Sequence, residues 1–221
     1  MKLTHPDLEY VPDTDGTEIP ILVIEDPKFF RSFLSDLFSQ TDGLAGRAVL
    51  SINDSPVDMS KYLEILDRFV PFEINRKPLL TKILTALEKT AMDEDHFLST
   101  REWLASIEKY IDDLAFSEDC DILCSKIAVS PILRAVGVEL QEQYGDPAEK
   151  ILDYMELVRH YDRDKLFVTV NIRSFFSDKE TADFMKTARS HGFHLLMLES
   201  AERPRLPLED RHVVDRDLCE I

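Results

Sequence analysis

Two carboxylates, Glu25 and Asp26, stand where the apolar run Ile21-Leu22-Val23-Ile24 ends and Pro27-Lys28-Phe29-Phe30-Arg31 turns into a helix. Ligands of α/β proteins collect at the carboxyl ends of strands, so this pair is the first candidate for chemistry. With Glu199, at the end of a later apolar run, the two acids outline a metal-dependent phosphotransfer or nuclease site. A phosphate-receiving signalling domain would keep a similar pair for magnesium, with an acceptor aspartate and a lysine on neighbouring strands. Asp58 and Lys77 imitate those parts, but the 19 residues separating them are too few for the intervening strand–helix steps. A nucleotide cradle fails for a different reason. It needs glycine N–H groups and, in its Walker form, a Lys followed by Ser or Thr, whereas Glu25-Asp26-Pro27 offers two carboxylates and a residue without a donor.

Other chemistries find less support. No Gly-x-Ser-x-Gly turn is present, and the six histidines are scattered. His191 and His194 have metal-like spacing without partnering cysteines, and read as surface or cap residues. Cys120 and Cys124 lack a second pair and read as buried thiols. Glu118, Asp119 and Asp121, following Asp112 and Asp113, carry the oxygen donors calcium needs, but not the glycine and terminal Glu of an EF-hand, so a solvated acidic face is the simpler reading. Arg76 and Lys77 precede a helix starting near Pro78, where positive charge opposes the macrodipole. An external anion would explain them, and with Lys82 and Lys89 they form a candidate phosphate-facing stripe, alongside the reading that they are ordinary solvated cations.

The elements that must position these groups follow from periodicity. Ile21–Ile24, Ala48–Ile52, Leu166–Val170 and Phe193–Leu198 read as strands. A helix follows Pro27, with Phe29, Phe30, Phe33, Leu34, Leu37 and Phe38 as its core face, and closes near Asp42-Gly43. Residues 58–76 fit helix and strand equally. Lys2–Thr4 and Leu8–Val11 suggest a small two-stranded element broken by prolines. Leu79 to Leu87 is helical, and Ser99 with Glu102 is a capping-box signature for a second helix through Leu114. Asp146 opens a helix to about His160, and Ser177 with Glu180 opens another that Gly192 closes. Strand, helix and strand across 166–198 make a parallel βαβ unit. The fold class is therefore α/β, with an α/β head at 1–75 and 146–221 and an inserted helical leg at 76–145.

Composition sets the limits. Three cysteines, an odd number, and no apolar leader point to a reducing cytoplasm, and no run approaches the ~20 apolar residues a membrane span requires. The net charge of −17 argues by itself against nucleic acid. Its distribution tempers that: Ala91–Ser125 holds ten acids and two bases, while Lys61–Ala91 holds six bases and four acids.

Six segments in order carry a further signal: Ile21 to Phe30; Val49-Leu50-Ser51-Ile52-Asn53-Asp54; Pro71-Phe72-Glu73-Ile74-Asn75-Arg76-Lys77-Pro78-Leu79-Leu80-Thr81-Lys82; Leu133 to Glu139; Phe167 to Asn171; and Leu196 to Glu199. Over nearly its whole length the chain resembles the ring-forming DNA-binding protein of spacer acquisition in type II-A CRISPR systems. That resemblance implies an α/β head of the RecA and P-loop class without nucleotide turnover, a helical leg, and a homotetrameric ring. It also implies that double-stranded DNA, at its ends, threads a basic hole, that the protein is not an enzyme, and that calcium stabilises the ring. Its partners would be the CRISPR integrase complex and the effector nuclease. Carried over by position, Arg76, Lys77, Lys82 and Lys89 are the DNA-contact candidates, and Glu118, Asp119 and Asp121 the calcium candidates. The chain departs from the family at Cys124-Ser125-Lys126, where more acids are usual, and at Arg76 and Pro78.

Overall fold

The computed structural model describes residues 1–116, 118, 122, 126–141 and 145–221. Two compact units emerge: Met1–Ile74 joined with Gln143–Ile221, and Asn75–Glu142 between them.

The first unit is organised by a five-stranded, all-parallel sheet. Its strands are β2 (Ile19–Ile24), β5 (Leu63–Leu66), β6 (Leu166–Val170), β7 (His194–Glu199) and β8 (Glu209–Val214), in the spatial order β5-β6-β7-β2-β8. Every residue of β2 and β6 is buried, as expected of parallel strands covered on both faces. Register is set by pairs such as Ile21 with Met197, Val168 with Leu196 and Leu22 with His212. A smaller antiparallel sheet joins β1 (Lys2–Thr4), β3 (Val49–Ile52) and β4 (Ser55–Pro56).

Helix α1 (Pro27–Thr41) begins where Asp26 Oδ1 accepts the Phe29 N–H at 2.7 Å, with Pro27 in the first turn. Gly43, at φ 78°, follows its end, a conformation open to glycine without strain. Phe33 and Leu37 bury against Leu22, Ile24, Leu196 and Leu198 on one face of the sheet, together with Leu3 and Leu50 of the small sheet. The phenylalanines of α1 thus serve the core, although Phe38 is 37% exposed. The oppositely directed residues Ile21, Val23, Phe167, Leu195 and Met197 are buried too. Helices α6 (Pro147–Tyr161) and α7 (Asp178–Ser190) pack together and bury Tyr154, Met155, Phe184 and Met185. Asp146 caps α6, and Ser177 with Glu180 forms a complete capping box on α7.

Three sequence expectations need correction or completion. Leu8–Val11 forms no strand; Pro6 lies in a turn where the Leu8 N–H bonds to His5 O, and β1 pairs with β3 instead. The ambiguous stretch holds both structures, α2 (Met59–Tyr62) capped by Asp58 and then β5. Strand β8 has no apolar run to betray it, since Glu209, Asp210, Arg211 and His212 make up most of it.

The second unit contains α3 (Lys77–Ala91), α4 (Phe97–Phe116) and α5 (Val129–Ala135), with α3 packed on α5. Its two ends are tied together by Asn75, whose Oδ1 accepts the Leu140 N–H at 2.8 Å while its Nδ2 donates to Leu140 O at 3.1 Å. The Ser99–Glu102 capping box does not form. The helix starts two residues before Ser99, because Asp93 Oδ1 has already accepted the Asp95 and His96 N–H groups and seeded the turn. Ser99 Oγ donates to His96 O instead.

Candidate nucleic-acid interface

The carboxylates of Asp26 and Glu199 are engaged in holding the fold. Asp26 spends a carboxylate oxygen on the first turn of α1, the N–H that an anion would need there. The Glu25 N–H donates to Val214 O at 2.9 Å, tying the strand exit to β8. Glu199 is only 2% exposed and accepts the Arg173 N–H at 3.3 Å. Burial pushes its carboxyl up to about 7, against the pull of that N–H and of the Arg173 and Arg203 charges, with Glu209 adding to the rise. Two of the three acids of the metal-dependent reading, Asp26 and Glu199, thus spend a carboxylate oxygen on backbone N–H groups, whereas Glu25 is held through its backbone.

Beside Glu199 lies a charge cluster that no local pattern announces. Arg173, at 3% exposure, donates to Glu209 Oε1 at 3.0 Å, Asp178 Oδ1 at 2.8 Å and Pro204 O at 2.8 Å. Arg211 reaches the other oxygen of Glu209 and the carbonyl of Arg203 at 2.6 Å. Asn171, in the left-handed region at φ 54°, accepts the Ser200 N–H at 2.8 Å through Oδ1. These bonds stitch together the exits of β6 and β7, and they pin the segment leading to β8. The bonds of Arg173 to Glu199, Pro204 and Glu209, and of Asn171 to Ser200, join residues 26 to 36 apart in sequence, which is why periodicity cannot find them.

His191 caps the end of α7, while His194 Nδ1 lies 2.9 Å from Thr14 Oγ1 and 3.4 Å from Asp15 Oδ1. Among the described residues no group of three His, Cys, Asp or Glu could hold a metal ion. Glu118 is exposed just past α4, its N–H bonded to Ala115 O. Asp119 and Asp121, and the thiols of Cys120 and Cys124, lie outside the described residues.

The four basic candidates divide on α3. Leu79 and Ile83 mark its buried side. Lys82 and Lys89, seven residues apart and hence two turns along one edge, are exposed, as is Lys77 in the first turn. Arg76 is half-buried at the N-cap, where no side chain makes a capping hydrogen bond. The structure therefore presents Lys77, Lys82 and Lys89 on the solvent side of one helix and sets Arg76 apart.

Residues 40–218 match the family described as CRISPR-associated protein (Cas_Csn2). The chain belongs to this family. The match includes α3 and its lysines, the helical unit and four of the five strands of the parallel sheet, leaving out β2 and most of α1. Among solved structures, the chain is similar to Stu0660 of Streptococcus thermophilus, at 15% identity and a TM-score of 0.57. That likeness covers 91% of this chain and 69% of the other, and concerns the fold. Among the described residues of this Csn2-family chain, no helix is long and apolar enough to cross a membrane.

Proposed function

We propose that the chain is a non-catalytic, cytoplasmic DNA-binding component of CRISPR spacer acquisition. It assembles as a homotetrameric ring, holds the end of a double-stranded DNA in a basic hole, and works beside the integrase complex and the effector nuclease. Membership of the Csn2 family is the observation that carries this reading. The geometry supports it through the exposed Lys77, Lys82 and Lys89 on α3, whose N-terminus has no side-chain cap and carries cations against its dipole. Lysine ammoniums contact phosphates as point charges and read no base edges, so affinity comes from the backbone and falls steeply with salt. The engagement of the Asp26 and Glu199 carboxylates by backbone N–H groups supports a non-catalytic role.

Calcium enters the proposal through the acidic stretch Glu118, Asp119 and Asp121 beyond α4. Bound to the assembled ring, it would shift the equilibrium toward the tetramer by mass action.

Gel shifts of a linear duplex, with and without calcium over a salt series, test the reading. The expected result is retardation at low salt that weakens as salt rises, and loss of most binding in the Lys77→Glu, Lys82→Glu double variant. No retardation at low salt with calcium present would overturn it. Light scattering with and without calcium tests the tetramer and its dependence on the ion.

A further inference from the structure

The connection from β7 to β8, residues 200–208, joins two strands that both run parallel to β2, yet it contains no helix. Such crossovers are usually helical, because a helix satisfies its own backbone. Here the partners come from two largely enclosed arginines. Arg173 donates to Pro204 O at 2.8 Å, and Arg211 donates to Arg203 O at 2.6 Å and to Pro204 O at 3.3 Å. Asn171 Oδ1 fixes the start of the connection by accepting the Ser200 N–H. Pro204 and Pro207 restrict its backbone further. The connection is thus a strap whose conformation is set before any ligand arrives, which lowers the entropy cost of binding.

The strap presents Arg203 and Arg205 exposed. Arg203 donates to Ser174 Oγ at 3.3 Å and Arg205 to Glu209 O at 3.1 Å. Neither forms an ion pair among the described residues, and a guanidinium carries five N–H groups. The acids beside them are already matched. Glu202 pairs with Arg211 at 3.3 Å, Glu209 is enclosed between Arg173 and Arg211, and Asp178 pairs with Arg173 at 2.8 Å. Lys179 and Glu180, in the first turn of α7, cancel each other. Burial raises the Glu199 carboxyl to about 7, so it carries less than a full charge at neutral pH. Two guanidiniums are left facing solvent on a rigid backbone, in a chain of net charge −17. Their planar forks match the oxygens of a phosphodiester two at a time, as an ammonium cannot.

We propose that the strap of residues 200–208 is a second phosphate contact for bound duplex DNA, in which Arg203 and Arg205 grip backbone oxygens while Arg173 and Arg211 hold the strap in place. This rests on the reading that the chain binds duplex DNA, and it extends that contact from the lysines of α3 to the sheet unit.

The test is fluorescence anisotropy of a labelled linear duplex titrated with the full chain over a salt series. In the Arg203→Gln, Arg205→Gln double variant, affinity at low salt should fall about tenfold. The slope of log affinity against log salt should become shallower by about 1 to 2, the number of phosphate contacts removed. The Arg203→Lys, Arg205→Lys variant should keep the slope and recover part of the affinity. Lys186→Gln with Arg216→Gln removes two exposed charges elsewhere on the sheet unit and should change neither quantity. An equal loss in that control would reduce the effect to bulk charge and overturn the proposal. So would a urea midpoint that falls together with affinity in the Arg203→Gln, Arg205→Gln variant, which would assign the two arginines to holding the fold. Wild-type affinity and slope in that variant would sink this inference alone and leave the DNA reading standing, whereas a wild-type chain that binds no duplex at low salt would sink both.

Discussion

The parallel-sheet unit and the helical unit are built from similar residues, yet they bury them very differently. In the first, whole strands disappear from solvent: β2 and β6 are buried end to end, and even Arg173, Glu199 and Glu209 are enclosed. In the second, Leu79, Ile83 and Val129 are the buried apolar side chains among the described residues, and α4 has none. Apolar burial contributes roughly 25 cal/mol per Å², so the sheet unit is where stability accumulates. The helical unit instead presents side chains to solvent, among them the lysines of α3 and Trp103 and Tyr110 of α4. On the proposed reading, the DNA-contacting lysines lie on the part that contributes least to holding the chain folded.

Arg173→Met should test that contrast hardest. It leaves Glu209, fully enclosed, with Arg211 as its remaining cation, and removes two further side-chain bonds, to Asp178 and to Pro204 O. A loss of about 3 to 5 kcal/mol in urea unfolding is expected. Leu196→Ala, at 0% exposure in the middle of the sheet, should cost about 3 kcal/mol. Comparable losses from Leu98→Ala, 72% exposed on α4, would contradict the division, since about 0.5 kcal/mol or less is expected there.

The pH dependence is a smaller effect, confined to the sheet unit. Because the Glu199 carboxyl is raised from an ordinary 4.5 to about 7, the folded chain holds a proton that the unfolded chain releases between those values. Stability from this group is fully present below about 4.5 and is lost as pH rises through about 7, by about 3 kcal/mol at most. Glu199→Gln should remove that slope from urea titrations run between pH 5 and 8, and leave the variant more stable than wild type at the upper end. An unchanged slope would mean that the carboxylate is already ionised against Arg173.

Much of the fold is legible in local pattern. Ile21–Ile24 and Leu166–Val170 are continuous apolar runs with no alternative to burial on both faces, and Asp146 and Ser177 cap their helices as their types and spacing foretell. Ser99 and Glu102 show the limit of such signatures. The motif is present, but Asp93 lies upstream and captures the helix start first. Strand β8 was invisible because Glu209 and Arg211 look like surface residues until Arg173 supplies the charge that lets them enter the sheet. Of the candidate sites, the lysines of α3 could be placed on an exposed side by helical spacing, but the half-burial of Arg76 could not, since it depends on what packs against the first turn.

By itself, the sequence determined the type of most elements, the α/β class, the segregation of charge and the family resemblance, because each depends on residue identity at short or fixed spacing. Tertiary structure decided what Asp26 and Glu199 are used for. Side chains at a strand end can bind a ligand or bind backbone, and the choice rests on partners brought close by folding: Phe29 for Asp26 and Arg173 for Glu199. In each case an N–H or C=O that must be satisfied once water is excluded took the partner nearest to it.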